Sequence, residues 1–523
     1  MRENPYTNEM ISLKYCLFLF FFFILSINTQ AQNEWLQLVS EKRLSEHAFI
    51  LAADSLSGRG IEPGIPGLDM AAEYLQNQIK EIGLQPAKGN YLQPFALYSS
   101  VPNTAESYIK TTNSKGHEKH KLKDFAAMEQ VSEILDFSGT LFFAGFGYTN
   151  RENNYNDFND ADIKDKIIII STGTPETFRK GSSGQMNNQL ERKKIKQALD
   201  AGAKGVILVT STGDKGNEAY RHLKRISSRK RYSLNPFPET GNQNLAVITP
   251  DAANVILGKN HSWEKMLSSI STNNTPASFE VKDTRIEVSS RRIIKEIQMA
   301  NIVGFIEGSD PSLKDECVLF MAHYDHLGTD EKGEIYNGAD DNASGVAVLL
   351  EVAQIFAAMD PKPRRSIVFL WPSAEEVGLH GSNVYSKNPL FAAVKTVASI
   401  NLDMVGRVYE PRDSVWKDFP KKVKDFDGIY ALINEYNPSL KKINDEACTE
   451  LGLVPDYSLP SRFFNTSDHY HFHRNKVPVL NLSTGYTADY HKTSDEAWRL
   501  RPDKMKRVAQ LCILTGIKLA NDD

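Results

Sequence analysis

The sequence predicts an α/β fold in which a mixed, largely parallel sheet is covered by helices on both faces and carries a smaller inserted α/β domain. Three observations predict it. Short, continuously apolar runs recur at Asn301–Phe305, Cys317–Ala322, Arg365–Trp371, Val397–Leu402 and Val477–Leu482, as in strands buried on both faces. Segments with helical periodicity alternate with these runs, as over 343–359 and in the closing series Met505, Val508, Leu511, Cys512 and Leu519. Between about Phe137 and Val281 the chain carries strands and a helix of its own but no clustered catalytic residue types.

A length of 523 residues suggests two or three domains, and a net charge of −4 leaves no basic footprint for nucleic acid. The expected partner is a peptide, protein or small molecule. Lys14, the apolar run Tyr15–Ile27 and the small residues up to Ala31 predict a signal peptide over 1–31 and export to a periplasmic or extracellular location. The run is short for a bilayer, so no stable membrane insertion is expected after signal removal, an uncleaved anchor being the alternative. Cys317, Cys448 and Cys512 form no CxxC pair, which argues against a cysteine-ligated zinc or a disulfide framework. The expected boundaries are 32–136 for the first part of the main domain, 137–285 for the insertion and 286–523 for the catalytic part.

In chain order, the first helical pattern places Met70, Tyr74, Leu75 and Ile79 on one face and stops at Gly83. Ser57–Gly60, SGRG, reads as a simple turn before it, a rim loop of the active site being the alternative. In the insertion, Thr140–Ala144, Ile167–Ile170, Gly205–Val209 and Leu245–Ile248 read as strands and Lys194–Ala203 as a helix. The basic run Arg221–Arg231 reads as a charged, solvated loop.

The chemistry-bearing residues collect where strands of the catalytic part end. His323 and Asp325 follow one strand, Glu375 and Glu376 the next and Asp403 a third. Asp340 and Asp341 precede a helix, and His491 lies in the loop after the last strand. Open α/β sheets bind ligands at such carboxyl ends. His323, Asp340, Glu376, Asp403 and His491 supply two imidazoles and three carboxylates, a set suited to two metals that share one carboxylate. Nitrogen and oxygen donors without thiolate favour zinc, with manganese or cobalt as substitutes. Asp325 is placed to accept the other ring N–H of His323, and Glu375 to take a proton from water. His469, His471 and His473 resemble a rival metal cluster in composition and are assigned to the pocket wall or to positions behind the ligands.

The motifs HYDH, NGADDNASG, SAEEVGLHGS, NLDMVGR and DYHKTSDE, in this order, resemble those of the secreted di-zinc aminopeptidases, relatives of glutaminyl cyclase and glutamate carboxypeptidase. The likeness is close over about 300–410 and extends to His491. It implies that Asp340 bridges two Zn2+ ions, with His323 and Asp403 on one and Glu376 and His491 on the other. It also implies Glu375 as general base, Asp325 behind His323, and a cis peptide between Asp340 and Asp341. The insertion is similar to a protease-associated domain, and Ser467-Asp468-His469 resembles an element near the substrate pocket. Residues 405–466 depart most from the pattern. The expected function is an exported metallo-aminopeptidase. The alternatives are a carboxypeptidase or dipeptidase that holds a substrate carboxylate with Arg407 or Arg462, a one-zinc glutaminyl cyclase, and a non-enzymatic binding protein.

Overall fold

The apolar runs become strands whose side chains alternate between two buried faces. A computed structural model describes residues 34–522 except 129, 131, 159–160, 179–187, 237–242, 259–260, 390–395 and 416–425; the expected signal peptide 1–31 lies outside the described residues. The chain divides into two compact units, one of residues up to Phe95 with Gln298–Asp523 and one of Ala96–Ile297.

In the first unit the strands are β1 (Gln85–Pro86), β2 (from Gln298 on, in the strand Ser278–Ile306), β3 (Cys317–Met321), β4 (Ser366–Trp371), β5 (Thr396–Leu402), β6 (Gly428–Ile433), β7 (Val454–Asp456) and β8 (Val479–Ser483). Their order in the sheet is β1-β2-β4-β3-β5-β8-β6-β7. The centre is parallel: Phe320 of β3 pairs with Phe369 of β4 and Ile400 of β5, and Ile400 with Leu480 of β8. The flanking pairs β2–β4 and β8–β6 are antiparallel. Strands β6 and β7 lie in the segment that departed most from the family pattern, and they extend the sheet beyond the expected runs.

Helices close both faces. Cys317, Leu319 and Met321 of β3 share one buried cluster with Tyr385 and Phe472. Phe320, on the opposite face, stacks on Phe369 at 5.9 Å and meets Phe356 of the helix Gly345–Ala358 at 5.8 Å. The helix Pro502–Asn521 lies so close there that a Cβ on Gly516 would stand 2.7 Å from Phe320 and 2.8 Å from Phe356. A ring so enclosed cannot be deleted without leaving a cavity. We therefore expect Phe320→Ala to destabilise the protein by about 3–5 kcal/mol, read as a lower urea midpoint at unchanged slope.

Among the helices before β1, Gly67–Ile82 ends where Gly83, at φ 86°, donates to the last carbonyls in a left-handed cap. Its buried face is Leu68, Ala71, Leu75 and Ile79, so the expected face holds at Leu75 and Ile79, whereas Met70 is 42% exposed and Ala71, about 100° round the helix, is buried instead.

The second unit is mixed α/β, as expected, but starts at Ala96, upstream of the expected 137. Strands Ile134–Ala144, Ile167–Ser171, Gly205–Val209 and Leu245–Ile248 run parallel in that order. Tyr108–Thr112, outside the expected boundary, pairs antiparallel with Arg285–Ser289 and thereby joins this unit. The run Arg221–Arg231 is not a loop: it forms the second half of helix Gly213–Ser228 and enters the strand Arg231–Ser233.

Candidate metal centre

Every strand at the centre of the first unit's sheet delivers a polar residue at its carboxyl end. β3 leads into His323, Asp325 and His326, all almost completely buried. β4 leads through Ala374, at a left-handed φ of 57°, into Glu375 and Glu376. β5 leads into Asp403, and the segment after β8 brings in His491, itself at φ 57°.

Asp341 lies between them. Its Oδ1 is 3.4 Å from His323 Nε2, which is also 3.6 Å from Asp403 Oδ1. Its Oδ2 is 3.1 Å from His491 Nε2, which is 3.2 Å from Glu376 Oε2. Two donor groups thus meet at one carboxylate. Within each of the sets His323, Glu375, Asp403 and His326, Asp341, Glu376, potential donor atoms lie within 4.8 Å of one another.

Asp340 does not take this position, contrary to the expectation. Its Oδ1 accepts from the Gly406 N–H at 2.8 Å and from Ser344 Oγ at 3.2 Å. The reason is the turn. Asp495 accepts the N–H groups of both Asp340 and Asp341, fixing the backbone after left-handed Gly338, and the two neighbouring side chains leave in different directions. The cis peptide is likewise at Asp341–Asn342, one bond later than expected.

Asp325 also differs from its expected role. Its carboxylate lies 3.9 Å from His323 Nδ1, beyond hydrogen-bond reach, and instead accepts from the Glu375 and Glu376 N–H groups at 3.1 and 3.3 Å. The backbone carbonyl of Asp325 is the group beside His323 Nδ1, at 3.1 Å. The residue therefore orients both glutamates through their main chain and His323 through its own.

The electrostatics are those of crowded buried acids. Burial, reinforced by Glu376, Asp468 and Asp403, holds Glu375 well above the usual carboxylate range against the pull of His323. Burial pushes Asp325 up to about 6. Burial acts to lower His491, but Asp341 and Glu376 outweigh it and push it up to about 10. Burial acts to lower His323 as well, but Glu375, Asp341 and Asp403 outweigh it and hold it well above its ordinary value.

The residues fit a metal. His323 Nε2 is fully buried and makes no hydrogen bond, although two carboxylate oxygens face it. Donors about 2.1 Å from one tetrahedral ion stand roughly 3.4 Å apart, which is the spacing of these nitrogen–oxygen pairs.

Several participants were missed by the sequence reading. His326 Nδ1 lies 2.6 Å from Glu376 Oε1, leaving Oε2 for His491; the second imidazole of HYDH was its signal. Tyr490 stacks on His491 at 3.8 Å, with Tyr486 behind it at 4.4 Å. His469, His471 and His473 share the helix His469–Arg474 and enter neither donor group; His469 is hydrogen-bonded to the Phe463 carbonyl and His473 stacks on Phe464. Arg407 is buried against Asp489 at 3.1 Å, so it is already paired with a carboxylate of the protein.

Residues 301–515 match the model of peptidase family M28, and residues 137–228 that of the PA domain. The segment 301–515 is a peptidase family M28 domain. Over 120 residues the chain is 41% identical to a probable zinc metalloprotease of Pyrenophora tritici-repentis, covering 22% of this chain and 26% of that protein. Over 161 residues it is 31% identical to leupeptin-inactivating enzyme 1 of Streptomyces exfoliatus, covering 31% and 32%. The chain thus spans about a quarter to a third of the length of these relatives. The structure of the aminopeptidase from Aneurinibacillus sp. strain AM-1 shares the fold, with a TM-score of 0.52, 19% identity, and coverage of 94% of this chain and 96% of that one. In the chain the PA match precedes the M28 match.

Proposed function

We propose that the protein is an exported metallo-aminopeptidase that removes residues from peptide N-termini with two zinc ions. The observation that carries this reading is the placement of Asp341 with one oxygen toward His323 and Asp403 and the other toward His491 and Glu376. His323, Asp341 and Asp403 would hold one ion and His491, Asp341 and Glu376 the other. Bound there, zinc supplies Lewis acidity, polarising a carbonyl and making water more acidic. Glu375 takes the proton from the attacking water and returns it to the departing amine, a role suited to a buried carboxylate held high. Asp325 keeps Glu375 and Glu376 aimed by gripping their N–H groups, and Tyr490 fixes the ring plane of His491.

The pairing of Arg407 with Asp489 speaks against its use for a substrate carboxylate. The basic and apolar pattern up to Ala31 supports export. Among the described residues no helix is long and apolar enough to cross a membrane.

The test is a panel of aminoacyl, N-blocked and C-terminal substrates given to the zinc-loaded protein. Cleavage restricted to free N-termini is expected. A chelator should abolish it, lower the thermal midpoint and be reversed by added zinc, since metal bound only by the native state stabilises that state. Cleavage of N-blocked peptides from the carboxyl end, or activity insensitive to chelation, would sink the proposal.

A further inference from the structure

The segment Ser57–Gly60 is more than the turn its sequence suggested. Ser57, Gly58 and Arg59 stand at φ 46°, 66° and 48°, three successive left-handed residues of which only one is glycine. Such a run persists only where its surroundings over-determine it. Here it is threaded against the hairpin that joins the two acid-bearing loops. A Cβ on Gly58 would stand 2.3 Å from the Tyr336 carbonyl oxygen and 2.5 Å from that of Gly328, and one on Gly60 would stand 2.6 Å from Gly328 Cα. The Arg59 carbonyl accepts from the His326 N–H at 3.2 Å.

Arg59 is 1% exposed, and its guanidinium donates to main-chain carbonyls. Nε donates to the Tyr324 carbonyl at 2.9 Å, between His323 and Asp325. Nη1 donates to Asn337 at 2.8 Å and to Leu51, and Nη2 to Gly338 at 2.8 Å, at the turn that leads into Asp341. One rigid, planar fork therefore holds the His323 loop and the Asp341 turn at a fixed separation. Burying a guanidinium is unfavourable unless its N–H groups are paired, and an apolar side chain in its place would leave these carbonyls without a donor. Its charge also lies in the field of Asp341, Asp495, Asp325 and Glu376, which oppose the effect of burial.

We propose that Arg59 is a positioning residue of the metal centre, whose guanidinium sets the spacing between His323 and Asp341. The inference rests on the two-metal reading above. Arg59→Lys keeps the charge but not the fork that reaches three segments. Arg59→Gly suits the left-handed backbone and leaves a guanidinium-shaped space. In the full-length, zinc-loaded protein, both variants should lose about 10–100-fold in kcat or in zinc retained on dialysis, as groups behind metal ligands do, with KM changed far less. Added guanidinium at millimolar concentration should restore part of the kcat of Arg59→Gly and none of that of Arg59→Lys.

Variants with parental kcat and zinc retention, and only a lowered thermal midpoint, would overturn the inference by showing that Arg59 merely supports the fold. If Arg59→Gly fails to fold, Arg59→Lys decides by the same readouts. A parent protein that holds no zinc overturns the proposed function and this inference together, whereas an active parent with unaffected variants overturns the inference alone.

Discussion

Replacing Glu375 with Gln is expected to lower turnover by at least about 10²-fold, the low end of what a positioned acid–base group contributes, while zinc content stays at the parental level. Glutamine keeps the size and the hydrogen-bonding capacity of the side chain but cannot take a proton from water. The main-chain N–H of residue 375 would still donate to Asp325, so the loop should keep its shape. Glu376→Gln is expected to behave differently, because Oε2 of Glu376 faces His491 from the donor side of the site. It should lose metal together with rate. The pair of variants is read by steady-state kinetics beside zinc analysis after dialysis. A near-normal rate for Glu375→Gln, with a metal-replete but inactive Glu376→Gln, would reverse the two roles.

Asp341→Asn is expected to be the most damaging single change for metal binding, and Asp340→Asn among the mildest in the same motif. Asparagine at 341 cannot present a charged oxygen to each side. Zinc retention should fall by more than the roughly 10–100-fold typical of a group behind the ligands, and activity with it. At 340 the situation differs. Burial and the neighbouring Asp495 hold the Asp340 carboxyl well above its ordinary range, so a neutral amide is a close mimic there. Its oxygen can still accept from the Gly406 N–H. Zinc analysis of both variants under one dialysis protocol decides the matter: loss at 340 with retention at 341 would restore the bridging role to Asp340 and refute the geometry described above.

That contrast also shows where the sequence was legible. The strands β3, β4, β5 and β8 could be read because burial on both faces makes them continuously apolar, and the acids and imidazoles at their ends followed from strand direction alone. Which of two adjacent aspartates faces the site could not be read. Helix and strand periodicities say where side chains point, but the turn 338–342 has neither period, and its shape is set by Asp495, 154 positions away from Asp341. The same holds for His326. Its neighbours in sequence say nothing of Glu376, fifty positions on, which its ring contacts. Arg59 was missed for the opposite reason: SGRG looks like ordinary turn chemistry, and only the buried guanidinium distinguishes it. Strands β6 and β7 escaped because residues 405–466 were read only as a departure from the family pattern.

The long reach of these contacts bears on when the protein can acquire its metal. Arg59 meets the Tyr324 carbonyl across 265 positions of chain, and Asp495 meets Asp340 across 155. No short stretch of the polypeptide brings the two halves of the donor set together, so an emerging or translocating chain offers isolated imidazoles and carboxylates and no cage. Loading must wait until the chain has closed these contacts, and binding free energy released at that moment adds to the stability of the folded state. For a chain exported unfolded, the zinc would then come from the compartment where the protein works and not from the one where it is made.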